Sequence, residues 1–151
     1  PAGRHCGDGS IDRVRLLPRS AAAIQAANEA GFQTVVVTNQ AGVARGYFAE
    51  GLIEEVHDRV RELLAESGAR LDGIYYCAHH PEVGTPAYRK TCTCRKPSPG
   101  MLERARDDQD LALTTTEIVS PSNANTVMVS GKPSLPASLQ SSSVSSRPQV
   151  K

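Results

Sequence analysis

The chain has 151 residues, of which 39% are hydrophobic and 22% charged, and its formal net charge is +1. That length suits one domain of ordinary size and leaves no room for two full ones. Near-neutral charge, 4% aromatic content and the lack of tryptophan argue against a nucleic-acid binder, and no apolar run reaches the roughly 18–20 residues of a membrane span.

In chain order, Pro1 to Asp8 shows no apolar signal core. Pro18 to Ala30 reads as an alanine-rich helix, with Pro18 in its first turn and Gly31 at its exit. Phe32 to Thr38 is a short β-branched apolar run, the pattern of a strand buried on both faces. A glycine-containing loop, Asn39 to Gly46, follows. Glu50 to Ser67 is an amphipathic helix with Leu52, Ile53, Val56, Val60, Leu63 and Leu64 on one side and Gly68 as its stop. Its His57 is expected on the polar, solvated side. Leu71 to Cys77 gives a second strand, and Pro99 to Leu113 a third helix after a long cysteine-bearing loop. This alternation predicts an α/β layer sandwich with a parallel sheet, whose functional groups gather at the carboxyl ends of the strands. Beyond about residue 113 the composition changes: serine becomes frequent, no carboxylate follows Glu117, and Ser134 to Lys151 is expected to be disordered.

Two of the polar loops carry chemistry. Cys77-x-His79-x12-Cys92-x-Cys94 offers three thiolates and one imidazole, a closed tetrahedral set suited to structural zinc. His80 competes as a ligand; His79 is preferred because its gap from Cys77 mirrors that between Cys92 and Cys94. Clustered thiols at this spacing point to a reducing, cytoplasmic setting rather than a disulfide scaffold. The second signal is Thr38-Asn39-Gln40-Ala41, where a buried strand stops and a hydroxyl and free amides can hold phosphate oxygens. Arg95 and Lys96 directly follow the last thiolate and suit an anionic substrate, arginine as a bidentate donor and lysine as a point charge.

Taken together, TNQAGVARGYF, YYCAHHPE, the paired Cys/His loop and CRKPSPGML resemble the D-glycero-D-manno-heptose 1,7-bisphosphate phosphatases over roughly Val14 to Leu113. That family sits in the histidinol-phosphate phosphatase branch of the haloacid dehalogenase superfamily. The resemblance implies a Rossmann-like three-layer core, here truncated, and hydrolysis of a sugar phosphate through an aspartyl-phosphate intermediate with magnesium. It implies that Thr38 binds the transferred phosphoryl group, that Asn39, Gln40 and Ala41 line the substrate loop, and that Arg95 recognises substrate. Lys96 would stabilise the phosphoryl charge, and Cys77, His79, Cys92 and Cys94 would hold zinc. It divides the chain into a partial phosphatase domain, 1–117, a degenerate last-strand region, 118–133, and a Ser/Pro-rich tail, 134–151. A monomer acting on a phosphorylated sugar, with neither nucleic acid nor membrane as partner, is expected.

The resemblance is incomplete at both ends. The family's nucleophile and acid/base lie in a D-x-D-G-T motif on a buried strand, and the nearest match is Asp8-Gly9-Ser10. If Asp8 were the second aspartate, Cys6 would occupy the nucleophile position, and the polar residues before it cannot form a buried strand. The motif is therefore expected upstream of Pro1. After Ile118-Val119, where the family places Gly-Asp and a magnesium-binding carboxylate, stands Ser120-Pro121. Turnover by these residues alone is expected to be impaired or absent. The other readings are a histidinol-phosphate phosphatase and a non-catalytic, zinc-stabilised phosphate-binding module. Arg45, the arginine of ARGYF, is a candidate for setting substrate preference, but the reading preferred is a residue leading into the helix.

Overall fold

A computed structural model describes residues 11–110 throughout and residues 117–119 and 126–131 as backbone strands. A 3-10 turn at Ile11–Arg13 precedes α1 (Ser20–Glu29), β1 (Gln33–Asn39), α2 (Gly51–Ala65), β2 (Gly73–Cys77), α3 (Gly100–Gln109), β3 (Glu117–Val119) and β4 (Thr126–Gly131). The expected elements are present: α1, α2 and β2 are shorter than expected by one or two residues at an end, β1 is shifted one residue along the chain, and α3 spans Gly100–Gln109. Gly31 and Gly68 take positive φ, 79° and 71°, where α1 and α2 stop. Asp8, Cys6 and the tail 134–151 lie outside the described residues. No helix among the described residues is long and apolar enough to cross a membrane.

The strands form one sheet in the order β2-β1-β4-β3. β1 and β2 are parallel, as the alternation of helix and strand requires, because α2 supplies the crossover between them. The other half departs from the expected parallel sheet: β4 runs antiparallel to both β1 and β3. Only residues 120–125 join β3 to β4, too short a segment for a parallel crossover, which needs about a dozen residues or more.

Alternation along β1 and β2 sorts the core into layers. Val35, Val37, Tyr75 and Cys77 face α3 and close on Met101 and Ala105. Tyr76 points the other way and packs with Ile53 of α2, Val43, Ala78 and Tyr88. A third cluster joins α1 to α2 through Ile24, Leu64 and Ala69. Two helical layers thus enclose a sheet, and β1, central and apolar, is buried from Thr34 to Thr38.

His57 corrects an expectation. It is 6% exposed and lies edge-on to the Tyr76 ring, with centroids 5.7 Å apart. Ile53, His57, Val60 and Leu64 are spaced four, three and four residues apart, so His57 falls on the apolar stripe itself. Burial pushes its imidazole below the ordinary 6.5; Glu54 and Asp58 oppose this shift and Arg61 reinforces it.

Packing and titration each yield a test. Met101, 1% exposed under the sheet, should cost about 2–5 kcal/mol on truncation to alanine, read by urea unfolding of metal-loaded protein. A loss below about 1 kcal/mol would contradict the packing. His57 is neutral in both folded and unfolded chains above its ordinary value, whereas below 6.5 the unfolded chain takes the proton first. Stability should therefore fall as pH drops through 6.5 toward the lower folded value. His57→Phe should flatten that part of the profile relative to wild type, and an unchanged slope would refute the assignment.

Candidate phosphate site and metal centre

The parallel register sets Asn39 opposite Cys77, so the chains leaving β1 and β2 start side by side. The Gln40 amide donates to the Cys77 carbonyl at 2.8 Å, carrying the ladder one step beyond the strand. Lys96 is drawn into the same place from far along the sequence. Its backbone N–H donates to Asn39 Oδ1 at 3.1 Å, and Asn39 Nδ2 donates back to the Lys96 carbonyl at 3.3 Å. The Lys96 ammonium donates to the Val37 carbonyl at 3.1 Å, and burial lowers its pKa from the ordinary value. Thr38 is 3% exposed, and its hydroxyl accepts from Gln40 Nε2 at 3.3 Å. Thr38, Asn39, Gln40 and Lys96 thus share one rim, and Ala41 begins the turn that follows. A cation, a hydroxyl and strand-end amides are the groups that hold a phosphoryl oxygen.

Beside this rim the four metal-ligand candidates converge. Their ligand atoms all lie within 4.8 Å of one another. Cys77 Sγ is 3.6 Å from both His79 Nδ1 and Cys92 Sγ; Cys94 Sγ is 3.3 Å from His79 Nδ1 and 3.2 Å from each of the other two sulfurs. Thiolates at about 2.3 Å from a zinc ion stand roughly 3.7 Å apart in a tetrahedron, so the cage is close to the right size and slightly contracted. These sulfur separations are too long for disulfides, and the three thiols are free. Burial pushes the Cys77 thiol up and, with hydrogen bonds to Cys92 and Cys77, pushes Cys94 to about 12. Cys92 goes down: burial opposes, but hydrogen bonds from Cys94 and from the Arg95 and Cys94 amides outweigh it. Burial and then Lys90 lower His79, favouring the neutral imidazole that ligates. A divalent cation would supply the positive charge that lets buried thiols ionise. With four protein ligands the set is closed, which suits a structural metal.

The metal loop is anchored from several sides. Cys92 and Cys94 pack on the α3 side of the core. Arg95 Nη1 donates to the His79 carbonyl at 3.1 Å. The Glu50 carboxylate, just ahead of α2, accepts from Tyr76 at 3.2 Å and from Tyr88 at 2.7 Å. Burial, and then the Glu50 charge, push the Tyr76 hydroxyl up to about 12. Gly84 sits at φ 113° with its hydrogen side against the Ala44 carbonyl, where a Cβ would come within 2.4 Å. His80 stands apart from the metal cluster: its ring accepts from the Glu82 and Val83 amides and lies 3.2 Å from Arg45. Glu50, Tyr88 and His80 were not singled out for these roles by sequence reasoning, because their partners are distant in the chain or belong to the loop's own turn.

Magnesium fits less well. It takes carboxylate oxygens, and the Cys/His set is the one cluster of three or more potential ligands among the described residues. Three of the described aspartates are engaged elsewhere: Asp72 with the Thr34 amide and Arg70, Asp58 with Arg61, and Asp107 with Arg106.

The chain is similar to several known proteins. The family described as Polynucleotide kinase 3 phosphatase matches residues 12–125. D-glycero-beta-D-manno-heptose-1,7-bisphosphate 7-phosphatase of Escherichia coli K12 is 46% identical over 100 residues, covering 66% of this chain and 47% of that protein. The protein of the same name from Rhodopseudomonas palustris is 44% identical over 94 residues, covering 62% and 52%. Among solved structures, a HAD-like phosphatase of Mesorhizobium loti superposes with a TM-score of 0.62 at 41% identity, over 66% of this chain and 48% of that one. D,D-heptose 1,7-bisphosphate phosphatase of B. bronchiseptica, complexed with magnesium and phosphate, superposes at 0.59 with 35% identity, over 70% and 55%. The chain spans about half the length of the curated relatives it matches.

The ligand cage predicts one tightly held zinc ion per chain, measured by elemental analysis of protein purified without chelator. Cys92→Ser should lower both zinc retention and thermal stability, since metal binding is coupled to folding. Wild-type protein that carries no zinc after growth in zinc-supplemented medium would rule the site out.

Proposed function

Because the chain belongs to the polynucleotide kinase 3 phosphatase family, we propose that its rim recognises the phosphoryl group of a sugar phosphate for phosphate-monoester hydrolysis, with D-glycero-D-manno-heptose 1,7-bisphosphate as substrate. Its fold is the haloacid dehalogenase-like α/β core, shared with phosphatases at 35–41% identity. The observation that carries the reading is the reciprocal hydrogen bonding of Asn39 with Lys96, which joins two phosphate-suited segments 57 residues apart.

In this reading the Thr38 hydroxyl and the amides of Asn39 and Ala41 bind phosphoryl oxygens, while Gln40, whose amide is spent on the Cys77 carbonyl, lines the substrate loop. The Lys96 ammonium, held against the end of β1, offsets their charge. Arg95 reaches toward the sugar while it braces the metal loop through the His79 carbonyl. Zinc held by Cys77, His79, Cys92 and Cys94 would stabilise a loop that has little apolar core of its own. Magnesium belongs to the proposed reaction through the relative that binds it, and the carboxylates for it are not supplied by the described rim. The thiol-rich metal site supports a reducing, cytoplasmic location.

Binding and turnover separate cleanly. The 151-residue chain should bind inorganic phosphate at the Asn39 and Ala41 amides, seen by NMR, and Lys96→Ala should weaken that binding. With heptose 1,7-bisphosphate and magnesium, phosphate release should fall several orders of magnitude below the 1–10³ per second or so of working enzymes, since the covalent route needs an aligned carboxylate nucleophile. Turnover near one per second that Lys96→Ala abolishes would show that a nucleophile is present and would overturn the expectation of impaired turnover. Faster release from histidinol phosphate than from the heptose substrate would reassign the substrate.

A further inference from the structure

Three hydrogen-bond donors converge on His80, and a neutral imidazole has one nitrogen lone pair to offer them. The Glu82 and Val83 amides aim at Nδ1, at 3.1 and 3.2 Å, and the Arg45 guanidinium nitrogen Nη2 lies 3.2 Å from Nε2. Whichever nitrogen carries the proton, at least one donor faces another donor.

The rigid partners decide which. The two amides belong to the turn that His80 itself opens. The His80 backbone is pinned by its amide to the Tyr88 carbonyl at 2.9 Å and by its carbonyl to the Lys90 amide at 3.1 Å. One residue past Val83, Gly84 is wedged against Ala44. Nδ1 therefore accepts, and Nε2 carries the hydrogen. That hydrogen belongs to a ring only 9% exposed, and it meets a guanidinium that also only donates. Among the described residues no carboxylate forms an ion pair with Arg45. Two adjacent donors without an acceptor between them are satisfied together by an anionic oxygen that takes a hydrogen bond from each.

Position says which anion. Arg45 stands on the turn that directly follows the phosphate-suited segment, its amide donating to the Ala41 carbonyl at 3.1 Å. His80 follows His79, whose carbonyl is held by Arg95, the neighbour of Lys96. The donor pair therefore stands on the two loops that leave the Thr38–Lys96 rim, formed by residues distinct from it. We propose that Arg45 and His80 Nε2–H form a second anion subsite, which takes the other phosphoryl group of a bisphosphorylated sugar while the rim holds the first. This rests on the phosphoryl-binding reading of the rim, and it gives Arg45 a substrate-contacting role, the less favoured of its two readings from the sequence.

The test uses the full, zinc-loaded chain with isotope-labelled histidine, arginine and backbone amides, and inorganic phosphate as probe. The free protein should show His80 as the Nε2–H tautomer. Phosphate should shift the His80 Nε2 and Arg45 side-chain signals saturably. Arg45→Met, at an exposed position, should weaken that response about ten-fold or more, whereas Arg45→Lys should keep part of it. An Nδ1–H tautomer would overturn the proposal. So would a His80 Nε2 signal that phosphate leaves unmoved while the Asn39 and Ala41 amides respond. The converse pattern, with His80 and Arg45 responding and those amides silent, would leave the subsite standing and overturn the reading of the rim.

Discussion

The parallel pairing of β1 with β2 brings Asn39 level with Cys77, and the rest of the functional surface depends on that register. One strand end carries a threonine, an asparagine and a glutamine; the other opens a loop with four candidate metal ligands. A slip of one residue would turn each inward-facing side chain of β2 toward the opposite layer. Cys77 would leave the α3 side of the core, where Met101 and Ala105 now hold it. The apolar alternation along both strands thus selects the alignment that brings the phosphate-suited and thiol-bearing segments together.

From this alignment the loops build outward by mutual support. Asn39 and Lys96 exchange hydrogen bonds that neither segment could satisfy within itself. Glu50 ties two tyrosines, one on β2 and one on the metal loop, to the start of α2. A half-buried carboxylate with two hydroxyl donors is a satisfied group, and it links three elements by one side chain. Because metal loop, strand end and helix start share these contacts, the loop can be irregular in backbone and still occupy one place.

Much of this was legible in the sequence because it rests on local pattern. Helix and strand periods are local, and so is the paired spacing of Cys77, His79, Cys92 and Cys94. The convergence of Lys96 on Asn39 has no local signature and followed only from a resemblance. His57 was misplaced by its polarity, although its spacing from Ile53 and Leu64 already set it on the apolar stripe. Helix–strand alternation argued for the parallel pairing of β1 with β2, where α2 fits as the crossover; between β3 and β4 no crossover fits, and that pair is antiparallel. His80 shows the limit of ligand spacing, since it sits one residue from a metal-ligand candidate and its ring is claimed by its own turn.

The reversal of direction at β4 has a consequence for how this surface can be furnished. Thr126, the first residue of β4, pairs with Thr38, the penultimate residue of β1. Chain therefore leaves the rim at β1 and β2 and arrives at it at β4. A purely parallel sheet equips such a rim only from segments that follow strands. Here the first residue of a strand shares the same border, so the rim is met by chain running in both directions, and the backbone beside Thr38 is set by β4 as well as by the turn that Thr38 begins.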